Sequence, residues 1–264
     1  MRIKTATITT NYELSGPKNA AVVMLSHSLG SNLHMWDPQL TALEAAFQVL
    51  RYDTRGHGAS DVPDGAYTLD QLVADAVALL DALGIKRVNF TGLSMGGMIA
   101  QGIALKHAGR LDRLVLCDTS AFMPAEAQPI VQERIDAARK EGLPALVDST
   151  LARWFTPPYL QKQGPGVEMI RNIFLTSPVT GYIGCTEAIR RLNYIGDLAR
   201  IKHPTLVMVG QDDPGTPVAA AQAIHERIAG SRLVVIPSAS HLSNIEQAGV
   251  FNSNLVGFIS QASR

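Results

Sequence analysis

The chain has 264 residues and no net charge at neutral pH, with 46% apolar and 17% charged residues. That balance excludes an intrinsically disordered chain and offers neither a basic stripe for nucleic acid nor a polybasic segment for an anionic membrane. No stretch approaches the ~20 apolar residues of a membrane span and the first residues lack the apolar run of a signal peptide, so a cytoplasmic protein is expected.

In chain order, residues 2–14 are rich in threonine and isoleucine and suit a short edge hairpin. Residues 21–26 form a nearly unbroken apolar run, as expected of a strand covered on both faces of a parallel sheet. The run ends in Ser26-His27-Ser28-Leu29-Gly30-Ser31, a loop at the strand end where open α/β sheets bind ligands. Residues 35–47 read as a helix and 48–52 as the next strand. A tight turn follows, marked by Gly56 and Gly58 and carrying His57, which reads as structural. Residues 68–83 give the clearest helix. Leu69, Leu72, Val73, Ala76, Val77, Leu80 and Leu83 make one apolar stripe, Thr68 and Gln71 a capping box, and Gly84 a stop.

The most informative stretch is Gly92-Leu93-Ser94-Met95-Gly96. A short strand-like segment precedes it, and apolar residues recur at helical spacing after it, at Met95, Met98, Ile99, Ile103 and Leu105. Strand, sharp turn and helix with serine at the turn make a nucleophile elbow. A Cβ at Gly92 or Gly96 would clash with the adjoining strand and helix, and the helix N-terminus suits a developing oxyanion.

Residues 111–117 read as another strand. The strand–helix alternation to this point argues for a parallel sheet with right-handed crossovers. It breaks over residues 121–195, where helical segments interrupted by prolines carry no clear strand. This stretch is expected to be an inserted helical cap over the ligand end of the sheet, leaving 1–120 and 196–264 as the core. The alternation resumes with a strand at 205–209, a helix at 217–229, a strand at 233–236 and a final helix at about 244–259.

An exposed serine needs a base, because its hydroxyl does not ionise near neutrality. Of seven histidines, His241 sits best, in the loop after the last strand. His27 is expected to brace its own loop. The imidazole needs a carboxylate to fix its tautomer. The loop after residue 209 offers Asp212 and Asp213, of which Asp213 is preferred, and Asp118 is a rival. The oxyanion hole is expected to combine the Met95 and Leu29 N–H groups. Cys117 and Cys185 neither frame disulfides nor show metal-ligand spacing, so they read as packing residues.

The order Ser…Asp…His, with the elbow, the Arg55-Gly56-His57-Gly58 turn, Arg153-Trp154-Phe155-Thr156, Gly181-Tyr182…Cys185-Thr186-Glu187-Ala188-Ile189 and Ser240-His241-Leu242-Ser243-Asn244-Ile245-Glu246, resembles the α/β-hydrolases, and within them the 3-oxoadipate enol-lactonases. The resemblance spans roughly residues 20 to 260. It implies an α/β-hydrolase fold, a mostly parallel doubly wound sheet with an inserted helical cap. It also implies hydrolysis of 3-oxoadipate enol-lactone without cofactor or metal, through Ser94, Asp213 and His241. That substrate carries a carboxylate, so a cationic group near the cap is expected, with Arg153, Arg190 and Arg191 as candidates and Trp154 as a pocket wall. The chain departs from the family in Cys185-Thr186, where paired cysteines are frequent, and in a shortened N-terminal hairpin. The competing readings are a general carboxylesterase for small esters with the same triad and a ligand receptor of the same fold. The expected partner is a small lactone or ester, with no nucleic acid or membrane, and a homo-oligomer is left open.

Overall fold

The computed structural model describes residues 1–261; residues 262–264 of the expected C-terminal core piece lie outside the described residues. Among the described residues eight strands form one sheet: β1 (Arg2–Lys4), β2 (Thr9–Ser15), β3 (Val22–Ser26), β4 (Gln48–Tyr52), β5 (Val88–Leu93), β6 (Leu111–Cys117), β7 (Thr205–Gly210) and β8 (Arg232–Ile236). Their spatial order is β1-β2-β4-β3-β5-β6-β7-β8. The expected edge hairpin is present: β1 pairs antiparallel with β2, and β2 antiparallel with β4. Every other pairing is parallel.

The apolar runs have a simple cause. Alternate side chains of a strand point to opposite faces. Met24, Leu50, Phe90, Leu114 and Val207 pack in one core with α2 (Leu69–Ala82), α3 (Met95–Lys106) and α9 (Val218–Arg227). Val23, Leu25, Val49, Val115 and Met208 pack in a second core with α1 (Leu40–Glu44) and α11 (Ala248–Ile259). The sheet is therefore covered on both faces, and the strands read as continuous apolar stretches. The Thr68–Gln71 capping box is made as expected, with reciprocal side-chain and backbone bonds.

Three expected helices differ. Residues 35–47 divide into a 3-10 segment, Leu33–Gln39, and α1. Pro38 lies inside the 3-10 segment, where it has no N–H to give and its ring disfavours a continuous α-helix. The final helix is broken at Gln247 (φ −126°, ψ 48°) into α10 (Ser243–Glu246) and α11. The helix after β7 ends at Arg227, since Ile228 is extended.

Between β6 and β7 the chain forms α4 (Gln128–Glu141), α5 (Val147–Trp154), α6 (Pro157–Gln161), α7 (Pro165–Thr176) and α8 (Val179–Ile189). The two ends of this helical stretch are clasped together. Phe122 and Asn193 form an isolated antiparallel bridge, with Met123 N–H donating to the Leu192 carbonyl (3.0 Å) and Tyr194 N–H to the Ala121 carbonyl (2.7 Å). Helix α8 seats on the core at Gly181, where a Cβ would overlap the Gly56 carbonyl. Among the described residues no helix is long and apolar enough to cross a membrane.

Candidate active site

Ser94 joins the central strand β5 to α3 as the residue that caps the helix, with φ 55° and ψ −114°. A non-glycine residue held there stores about 1–3 kcal/mol of strain, maintained only by its surroundings. Those surroundings are specific. The Ser94 N–H donates to the Cys117 carbonyl on β6 (2.9 Å), and the Thr119 hydroxyl donates to the Ser94 carbonyl (2.7 Å). A Cβ on Gly92 would overlap the Gly96 carbonyl, and one on Gly96 the Ser26 carbonyl, so the elbow closes only with glycine at both positions.

His241 follows β8. Its Nδ1–H donates to Asp213 Oδ2 at 2.8 Å, which leaves the Nε2 lone pair free in the neutral ring. Asp213 is enclosed by donors: the Gly215 and Thr216 N–H groups reach Oδ1 (2.8 and 3.0 Å) and the Thr216 hydroxyl reaches Oδ2 (2.6 Å). Burial pushes the Asp213 pKa up, but His241 and the Thr216 bonds outweigh it and hold the carboxyl well below the usual carboxylate range. The neighbouring Asp212 is exposed, and it lines a second cavity and not the one that holds His241. Asp118 accepts from the Gly210 N–H (2.7 Å) and the Ser243 hydroxyl (2.6 Å); it ties the end of β7 to α10. Burial, then the charge of Asp213, raises its pKa well above normal.

Ser94 and His241 line one cavity of about 740 Å³, which reaches from Ser28 and Leu29 in the loop after β3 to α4, α5 and α8. Among the described residues neither the Leu29 N–H nor the Met95 N–H, at the first turn of α3, is given to a protein acceptor. His27 and His57 brace the adjoining loops. His27 donates from Nδ1 to the Ser28 carbonyl (2.7 Å) and accepts the Thr54 N–H at Nε2 (3.0 Å). His57 accepts the Gly30 N–H at Nε2 (2.9 Å). Desolvation lowers their pKa values to about 4 and about 3 respectively.

Trp154 lines the cavity at the end of α5, stacked near His241 with ring centroids 6.5 Å apart and set edge-on against Phe174. Arg153 also lines it; burial, then the nearby charge of Arg134, lowers its pKa. Arg190 is a correction. It is absent from the cavity wall, and its guanidinium is taken up by Gln128, Gln132 and Glu187, because packing turns that side of α8 toward α4. Arg134 takes the place expected for it. The Arg134 guanidinium donates to the Thr150 hydroxyl (2.6 Å) and the Tyr182 hydroxyl (3.2 Å). Among the described residues neither Arg134 nor Arg153 is paired with a carboxylate. The sequence held a signal for Arg134. It falls in register with Ala127, Ile130, Val131 and Ala137, which line the same cavity, so it is a charge set in the apolar stripe of its helix.

A family model described as the alpha/beta hydrolase family matches residues 22–253. The chain belongs to the alpha/beta hydrolase family. As an alpha/beta hydrolase it is 38% identical over 242 residues to 3-oxoadipate enol-lactonase 2 of Acinetobacter baylyi, covering 92% of this chain and 90% of that one. Its fold matches the crystal structure of the enol-lactonase from Burkholderia xenovorans with a TM-score of 0.96 at 40% identity, covering 99% and 100% of the two chains. A thermophilic esterase from Thermogutta terrifontis with malate bound matches with a TM-score of 0.91 at 29% identity, covering 98% and 97%.

Proposed function

We propose that this alpha/beta hydrolase opens a small anionic lactone, 3-oxoadipate enol-lactone, to give 3-oxoadipate. It is a carboxylic ester hydrolase, and the helical stretch 121–195 serves as the cap over its site. The observation that carries the substrate class is Arg134 beside Arg153 in the wall of the cavity that holds Ser94 and His241, both without a carboxylate partner among the described residues. Two neighbouring cations in a cavity wall, neither with a carboxylate partner among the described residues, repel one another, and a substrate carboxylate relieves that repulsion with charge-assisted hydrogen bonds. The likeness to the enol-lactonases supports the same reading, as does the esterase neighbour that holds malate, a dicarboxylate.

In the proposed reaction His241 Nε2 takes the Ser94 hydroxyl proton as Oγ attacks the ring carbonyl. The unshared N–H groups of Leu29 and Met95 receive the oxyanion. The ring C–O bond breaks, the enol oxygen takes the proton from His241 and the enol ketonises. Water, deprotonated by His241, then cleaves the Ser94 ester. Asp213 stays ionised throughout and holds the imidazole in the tautomer that can accept.

The test is hydrolysis of the enol-lactone beside short p-nitrophenyl esters by wild type and Ser94→Ala. Lactone preference by orders of magnitude in kcat/KM, abolished in the variant, is the expected result. Turnover of the simple esters alone, through Ser94, would instead support the carboxylesterase reading, which the apolar side of the cavity (Met98, Met123, Ile130, Val131, Ile189) favours.

A further inference from the structure

The loop carrying His241 is fastened, on both sides of the histidine, to one short piece of the helical stretch. The Ser240 hydroxyl donates to the Arg153 carbonyl (2.9 Å), and the Leu242 N–H donates to the Trp154 carbonyl (3.0 Å). Glu246, the last residue of α10, closes the junction. Its Oε2 accepts the Ser240 N–H (3.0 Å), both its oxygens accept the Thr156 N–H (3.2 Å each), and Oε1 accepts the Thr156 hydroxyl. Glu246 is only 9% exposed, and among the described residues it has no cationic partner within ion-pair distance. It does not line the cavity that holds Ser94. It belongs to a neighbouring cavity of about 620 Å³, together with Thr156, Pro214 and Ser240.

A buried carboxylate neutralised only by hydrogen-bond donors is costly unless those bonds are kept. Here the donors are the residue just before His241 and the second residue after Trp154. We infer that Glu246 is a positioning residue, locking His241 and the cavity-facing Arg153–Trp154 segment into one register. The inference rests on the reading of His241 as the base. It adds that the base and the substrate wall move as one body, so a substrate that shifts the wall also shifts the imidazole. Proton transfer falls steeply with small displacements, and an offset of about 1 Å costs on the order of a hundredfold.

An acceptor on both oxygens is the requirement. Glu246→Gln keeps the shape but replaces one oxygen with an NH2 that must face an N–H donor. Thr156→Val removes only the hydroxyl bond and keeps the backbone. Both variants are assayed by the rate of inactivation by an organophosphate, by kcat and KM on p-nitrophenyl acetate and the enol-lactone, and by Tm. Organophosphate labelling needs Ser94 and its base but no cap-bound carboxylate, and Ser94→Ala gives its blank. The expected result is a fall of at least tenfold in labelling rate and in kcat for Glu246→Gln, a several-fold fall for Thr156→Val, and smaller changes in KM for the acetate. Labelling and kcat within twofold of wild type in either folded variant overturn the inference, whatever happens to Tm. If Glu246→Gln does not fold, Thr156→Val decides alone. A wild-type protein that is neither labelled nor active on either substrate overturns the proposed function instead, so the two failures are distinguishable.

Discussion

The His241 ring and the Asp213 carboxylate meet at 2.8 Å inside a loop where three further donors converge on the same carboxylate. This relationship separates two adjacent aspartates that composition cannot tell apart. Asp213→Asn should leave the fold intact and lower kcat roughly 10³- to 10⁴-fold, because an amide NH2 facing Nδ1 selects the wrong tautomer. Asp212→Asn, at an exposed carboxylate, should change kcat by less than twofold. Steady-state rates on p-nitrophenyl acetate measure both; equal losses would remove Asp213 from the role proposed for it.

The cavity arginines predict a charge-dependent loss of affinity. Arg134→Ala or Arg153→Ala should cost roughly ten- to hundredfold in kcat/KM on an anionic lactone, from charge-assisted bonds of about 1.5–3 kcal/mol. Neutral esters should be affected far less. Arg190→Ala, whose guanidinium is held by Gln128, Gln132 and Glu187, should leave both substrates within twofold. A uniform loss on charged and neutral substrates would point to packing instead of carboxylate recognition.

The buried histidines predict acid sensitivity. His27 and His57 have pKa values lowered from 6.5 to about 4 and about 3. Below pH 6.5 the unfolded chain binds protons that the folded one refuses, so their contribution is intact above pH 6.5 and is lost as pH falls toward 4 and then 3. The slope is about 1 kcal/mol per pH unit for each histidine. Urea unfolding between pH 7 and pH 4.5 should show it, and His57→Gln should flatten the slope even if it lowers stability at pH 7. A parallel curve would locate the acid sensitivity elsewhere.

The seat of α8 predicts a steric effect. Gly181→Ala forces a methyl group into the Gly56 carbonyl and should cost about 1–3 kcal/mol, lowering Tm by several degrees. Gly257→Ala, in open space on α11, should be neutral or stabilising by up to about 1 kcal/mol. Calorimetry on the pair tests whether contact or glycine entropy governs the difference.

Much of the molecule is written locally. The elbow can be read because its requirements lie within five residues: a strained φ at Ser94 and two glycines whose missing Cβ atoms make room for it. The strands can be read because a sheet covered on both faces needs apolar side chains at every position, and α2 because its cap and stripe are its own. The order of serine, aspartate and histidine follows from strand order alone. Only the tertiary structure decides which of two aspartates is buried against the imidazole, which arginine faces the cavity and what fastens the His241 loop. Asp213 and Asp212 differ in burial by the turn of one loop. Arg134 lies on α4 and Arg190 just past the end of α8, and mutual packing turns one inward and ties the other to glutamines. Glu246 meets Thr156 across 90 residues of chain. Propensity and periodicity act over a few residues, whereas these choices are made by contacts that exist only after the helical stretch has folded back over the sheet.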